Sequence, residues 1–360
     1  MSFTEKRREE IKKYILRKIA QNDNDVLAKT MDSFGISVTT VKRYLQDALN
    51  ENLIQEREGE GCPYQMVERE KKISVSMQEG HLEEDYLFEE YIAPLLTCCN
   101  DRAWVIWQYA CAEILNNAIE HSKGTTIGIC VRQNALNTTI TIKDDGLGVF
   151  QTLTEYMAAN GWENPRKEDA LVELYKGKIT SDCENHSGEG IFFTSKLVDS
   201  FELWSDSLIL GCGSQKEPKT MHSHLAAYAA RIRKERTVVV MTLENETERK
   251  AGEVFDMYAD IDEGLIKTRI PVREACVSGE PVARSQARRI CYRLEEFHEV
   301  VLDFSDVELM GQGFADELFR VYAGTHPQVR LFPVNMLPQV ERMIYHVSRG
   351  KVAENICFPD

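Results

Sequence analysis

The stretch CAEILNNAIEHS, residues 111–122, sets polar side chains on one face of an otherwise apolar helix. Ile114, Leu115, Ala118 and Ile119 form its apolar stripe. Glu113 and Asn117 stand four residues apart, one turn from each other on the same face. An asparagine offers a neutral hard oxygen suited to Mg²⁺, which takes one or two protein ligands and draws the rest from phosphate and water. A glutamate one turn away can orient or deprotonate a water beside a terminal phosphate. Two adjacent asparagines are otherwise mediocre helix residues. Taken alone, a Glu and an Asn at this spacing also fit a solvated helix face, and Asn116 has no role in this reading.

Two further clusters give the pair a context. KDDGLGVF carries Asp144, Gly146 and Gly148 at the end of a strand-like run. A carboxylate accepts a hydrogen bond from the exocyclic amine of adenine, and glycines let backbone approach a flat base closely. SGEGIF places Gly188 and Gly190 immediately before a helix, where exposed N–H groups attract phosphate. Each cluster is weak by itself. In this order, with two strands and a long polar segment between them, they make a coherent nucleotide site.

On these residues the middle of the chain, about 70–247, resembles the ATP-binding domain shared by gyrase, heat-shock chaperone, histidine-kinase and mismatch-repair ATPases, the GHKL superfamily. EILNNAIEHS matches its Asn box, DDGLGVF its first glycine box and SGEGIF its second. The resemblance implies a Bergerat-fold α/β sandwich with ATP and Mg²⁺ as cofactors. Asn117 would bind Mg²⁺ and Asp144 the adenine amine. Gly146 and Gly148 would form the first glycine turn, and Gly188 with Gly190 would meet the phosphates. Thr237 matches the adenine-pocket threonine, and residues 151–187 would be the ATP lid. Glu113 stands where hydrolytic members carry their general base. Kinase members often carry an acid there too, so Glu113 does not separate the two.

The elements that must position these boxes follow from periodicity. Residues 68–80 alternate as a strand, and 82–97 and 101–122 read as helices. TTIGICVRQN, TTITIKDDG, FELWSDSLIL and RTVVVMTLEN read as strands of a mixed sheet. Residues 151–187 read as irregular and helix-broken.

N-terminal to this unit, residues 5–20 carry Ile11, Ile15 and Ile19 at helical spacing, and a short helix follows near Val26–Asp32. Gly35 suits a tight turn. Ser37 is an N-cap across which Ile36 can staple to Val41. The next helix buries Val41, Leu45 and Leu49 and shows Thr39, Thr40, Lys42, Arg43 and Gln46 outward. Two short strands close a winged helix-turn-helix pattern over residues 1–67, which points to duplex DNA. From Met1 to Arg57 there are eleven Lys and Arg against nine Asp and Glu, in a chain whose net charge is −15. Any polyanion therefore meets this end, with modest affinity.

Residues 251–360 change to strand–helix alternation: EVVLDFS, GQGFADELFRVYAG, QVRLFPVN and LPQVERMIYHV. About 265–350 is similar to the STAS-like domains of bacterial regulators, distantly related to anti-sigma-factor antagonists. Those antagonists carry a phosphorylatable serine in the loop before the first long helix. Here that loop reads MGQGF and has no hydroxyl, so a scaffold for protein contacts is the expectation. His81 and His298 lack the setting of a phospho-acceptor helix.

Ten cysteines without a C-x-x-C pair or a signal sequence fit a reducing cytoplasm. No apolar run is long enough for a membrane span. The expectation is a multidomain α/β protein of 1–67, 68–250 and 251–360, a bacterial-type nucleotide-responsive DNA-binding regulator. The alternatives are a protein serine/threonine kinase of anti-sigma type and an ATPase whose homodimerisation is ATP-driven.

Overall fold

The computed structural model describes residues 4–78, 82–179, 188–205, 208–213, 236–260, 262–276 and 279–358. Helix α1, Glu5–Ala20, starts at Thr4 and buries Ile11, Ile15, Leu16 and Ile19. Helix α2, Val26–Phe34, ends at Gly35, whose φ of +62° closes the turn without a Cβ penalty. Ser37 caps α3, Val38–Asn50, by accepting the Thr40 amide at 3.3 Å. Strands β1, Ile54–Glu56, and β2, Tyr64–Met66, pair antiparallel. These elements share one core, into which Leu136 inserts from the central unit. On the outside of α1, Lys13 and Arg17 both reach Glu244, at 2.8 and 2.7 Å.

The central sheet contains β3, Arg69–Ser76; β4, Thr126–Gln133; β5, Asn137–Asp144; β6, Ser200–Ser205; β7, Leu208–Gly213; and β8, Thr237–Glu244. Their order is β3-β4-β5-β8-β6-β7 and every neighbouring pair is antiparallel. The mixed sheet expected from sequence is therefore corrected. FELWSDSLIL, read as one strand, is two: β6 and β7 pair as a hairpin, with Asp206 and Ser207 outside the described residues. Strand alternation puts Thr138, Ile140, Ile142 and Asp144 of β5 on one buried face. A carboxylate thus ends a run of core positions.

Helices cover that face. Asn100 caps α5, Asp101–Asn116, which passes into a π turn, Asn117–His121. Helices α6, Val149–Ala159, α7, Lys167–Lys176, and α8, Gly190–Leu197, complete the layer. The irregular stretch expected over 151–187 is instead two helices as far as Lys176. Phe150, Leu153 and Met157 give α6 a core face, and Ala170 through Lys176 are all buried in α7. The polar break between them, NGWENPR, hides both periods in the sequence. Residues 180–187 of the expected lid lie outside the described residues.

Beyond β8 come α9, Ala251–Tyr258, and a small hairpin, β9, Ala259–Asp260, with β10, Gly264–Leu265. Strands β11, Lys267–Pro271, β12, Glu299–Asp303, and β13, Arg330–Val334, form a parallel sheet in that order. It is flanked by α10, Val272–Ala275, and α11, Arg284–Cys291. Helix α12 begins at Gln312–Ala315 and runs on through a π turn, Asp316–Tyr322; α13 spans Pro338–Val347. Strand β11 and helix α11 have no counterpart in the sequence reading. The core of this unit is continuous with that of the central unit. Among the described residues no helix is long and apolar enough to cross a membrane.

Candidate functional site

The end of β5 and the start of β8 lie side by side, so Asp144 and Thr237 are paired across the sheet. Asp144 is 6% exposed. Burial pushes its carboxyl up to about 6, although the Gly146 amide, at 2.9 Å, and the Thr237 side chain both favour the ionised form. Its neighbour Asp145 goes the other way. The Thr125 amide, at 2.7 Å, holds it below the ordinary range, helped by the Thr125 hydroxyl and the Thr126 amide. One aspartate of the pair is thus an ionised clamp on the β4 start. The other is buried beside a cavity.

The cavity has a volume of about 540 Å³ and its lining includes Glu113, Asn117, Asp144, Gly148, Gly188, Gly190 and Thr237. Three separated sequence boxes and a late-strand threonine therefore converge on one space. Asn116, unexplained in the sequence, lines it as well. Asn117 opens the π turn, a local widening of the helix often found at functional sites. Its amide nitrogen donates to the Glu113 carbonyl at 2.7 Å, which leaves its Oδ1, the atom a hard cation would use, outside that bond.

The glycines are set by close approach. A Cβ on Gly190 would lie 1.9 Å from Glu113 Oε2, so the glutamate fills the space above the second glycine box. Gly188, at φ +76°, passes within 2.7 Å of the Ile179 backbone by the same measure. Gly146 does not line the cavity. It packs beneath it: a Cβ there would meet the Ser122 carbonyl oxygen at 2.1 Å, and the same carbonyl accepts the Leu147 amide at 2.8 Å. Gly146→Ala is expected to lower stability by about 1–3 kcal/mol through overpacking. Gly252→Ala, on an open face of α9, should leave stability unchanged or slightly raised. Thermal unfolding of the two variants checks this, and equal shifts would refute the close approach.

Several lining residues escaped the sequence reading. Tyr109 stands one turn before Glu113, as Glu113 stands before Asn117, so the four-residue spacing extended further than the box. Burial, with the Glu113 carboxylate beside it, holds the Tyr109 hydroxyl protonated well above its ordinary range. Phe255, Ala259, Asp260 and Gly264 come from α9 and the β9–β10 hairpin. Phe255 packs edge-on to Tyr109 at 5.2 Å and tilted against Phe193 at 4.7 Å. No motif announced them, because they reach the cavity only through the path of the chain after β8. Glu189, between the two glycines, accepts the Leu265 amide at 3.2 Å and ties the hairpin to the cavity rim. Among the described residues, no group of three or more His, Cys, Asp or Glu could by itself hold a metal ion.

On α3, Thr39, Lys42, Arg43 and Gln46 are exposed. Thr40 departs from the expectation: it is half-buried and its hydroxyl is hydrogen-bonded to that of Ser37 at 3.0 Å, a local capping role.

The described architecture is a mixed α/β protein with several sheets. Residues 286–341, from α11 into α13, match the family model described as a STAS-like domain of unknown function (DUF4325), so the chain carries a C-terminal STAS-like domain. No curated protein shows significant similarity to the chain.

Proposed function

We propose that this chain is an adenine-nucleotide-binding regulator with a Bergerat-type pocket of the GHKL kind. The observation that carries the reading is the convergence of Glu113, Asn117, Asp144, Gly148, Gly188, Gly190 and Thr237 on one cavity, with a buried carboxylate at its floor. Asp144 would read the adenine amine. Asn117 would supply one oxygen to Mg²⁺, whose other ligands would come from phosphate and water. Calorimetry with ATP, with and without Mg²⁺, tests the reading. ATP should bind in a Mg²⁺-dependent way and GTP, which presents a carbonyl where adenine has its amine, at least about tenfold more weakly. Absence of ATP binding, or equal affinity for GTP, would overturn it.

The N-terminal unit is proposed as a winged helix that presents α3 to duplex DNA. Its electrostatic reach is small. Glu58 and Glu60 bring residues 1–67 to eleven acids against eleven bases, and Lys13 and Arg17 are engaged on Glu244. Recognition then rests on a few residues of α3, Lys42, Arg43 and Gln46 foremost. Arg43→Ala is expected to weaken DNA binding about tenfold. A phosphate role would also make the log–log salt slope shallower by about 1, whereas a base contact would relax preference at one base pair. Titration at several salt concentrations reads both, and unchanged affinity would make α3 a protein-docking face instead.

A further inference from the structure

From Ala170 to Lys176 helix α7 is buried on every side because it lies between the pocket and the STAS-like unit. Leu174 lines the pocket, and so does Ile179 just beyond the helix, where Gly188 packs on the Ile179 backbone. The other side of α7 is joined to α11 and the turn that follows it. At its start, Asp169 pairs with Arg289. In the middle, Glu173 lies 3.7 Å from Arg293. At its end, Lys176 is 1% exposed and donates to Glu173 at 2.6 Å and to the Tyr292 carbonyl, at the C-terminal end of α11. Lys178 continues the line onto the Glu296 carbonyl at 2.8 Å. Trp162, just before α7, packs on Tyr292 with ring centroids 4.0 Å apart.

Glu173 and Lys176 stand one turn apart on α7 and move together; what ties this buried pair to the neighbouring unit is the Lys176 bond to the Tyr292 carbonyl and the approach of Glu173 to Arg293. Lys176 caps a helix of the neighbouring unit, so α7 cannot shift without moving α11 or breaking that cap. On the far rim, Glu189 holds the β9–β10 hairpin by the Leu265 amide. The same C-terminal segment therefore grips the pocket from two sides.

We infer that α7 and its buried Glu173–Lys176 pair form a clamp through which nucleotide in the pocket sets the position of α11 in the STAS-like unit. The inference rests on the nucleotide reading of the pocket. A ligand moves such an equilibrium only through its different affinity for the two arrangements, and the coupling acts equally in both directions. Whatever engages α11 must then change nucleotide retention.

The test is hydrogen exchange on the full chain with ATP–Mg²⁺, read at the amides of Arg284–Cys291 and the turn after them, with binding measured separately by calorimetry. Nucleotide should slow exchange there about tenfold in the wild type. The double variant Glu173→Leu/Lys176→Met removes both charges together, so neither is left stranded. It should still bind ATP, release it about tenfold faster, and show no nucleotide effect on α11. Arg289→Gln, which loosens the other end of α7 without touching the buried pair, should reduce the effect and guards against misfolding of the double variant. ATP bound with α11 exchange unchanged in the wild type would overturn the clamp, as would a full response in both variants. ATP failing to bind would overturn the pocket reading and the clamp with it, and calorimetry distinguishes that case.

Discussion

Asp144→Asn is expected to make the ligand-free protein more stable and the nucleotide complex weaker. In the folded chain the carboxyl is pushed up to about 6 from an ordinary 3.8, mainly by burial. The gap corresponds to about 3 kcal/mol between protonated and ionised forms. The sign follows from proton binding. The folded state holds this proton more tightly than the unfolded state, so the group's contribution is fully present below pH 3.8 and is lost as pH rises through about 6. At neutral pH the ionised carboxylate is therefore a cost. Asparagine keeps an oxygen for the Gly146 amide and removes the charge. A gain of about 1–3 kcal/mol, read as a higher denaturant midpoint at pH 7.5, is the expected result.

The cost has a use only if something needs that acceptor. An amine of adenine does, and losing a charge-assisted hydrogen bond costs about 1.5–3 kcal/mol, roughly a ten- to hundredfold weaker Kd. The wild type should also lose affinity for ATP as pH falls below about 6, by up to about tenfold per unit, because binding must then expel the proton. Asp144→Asn should lack this dependence. A variant that is stabilised yet binds ATP as the wild type does would leave Asp144 buried without a ligand to read. A variant that is destabilised would show that the carboxylate is already satisfied within the protein.

How much of this was readable from the sequence differs by element. The grouping of Glu113, Asn117, Asp144, Gly148, Gly188 and Gly190 was legible because the patterns are local: a four-residue helical spacing, a strand ending in acid and glycine, glycines before a helix. Thr237 was singled out only through the resemblance, and strand pairing with Asp144 is what places it on the cavity. The parts that escaped depend on distant pairing. Nothing near FELWSDSLIL says that it folds on itself, since a continuous apolar run fits one buried strand as well as two. Helix α7 was hidden for another reason. ALVELYK is apolar and polar in turn without a clear stripe, because all of it is buried, and its Glu173 and Lys176 look like a surface pair until the STAS-like unit is packed on them. Periodicity reports one-sided burial, and α7 has no solvent side from Ala170 to Lys176.

Glu113→Gln is expected to leave ATP bound and to slow phosphate release by about 10²–10⁴-fold, the range for removing a general base. The substitution keeps the shape that Gly190 accommodates and the hydrogen-bonding reach toward Tyr109, so binding should change little. What it removes is the ability to take a proton from water. Tyr109→Phe serves as the comparison. It withdraws a donor from the Glu113 carboxylate, which makes that group a stronger base but a less well-oriented one, and the slowing should be milder than with Glu113→Gln. Phosphate release measured at saturating ATP–Mg²⁺ separates the possibilities. Equal rates in wild type and Glu113→Gln would exclude the general-base role. A wild type that binds ATP and releases no phosphate would make the pocket a sensor. In that case Glu113 serves to hold the second glycine box against α5, and Glu113→Gln should alter only the affinity for nucleotide.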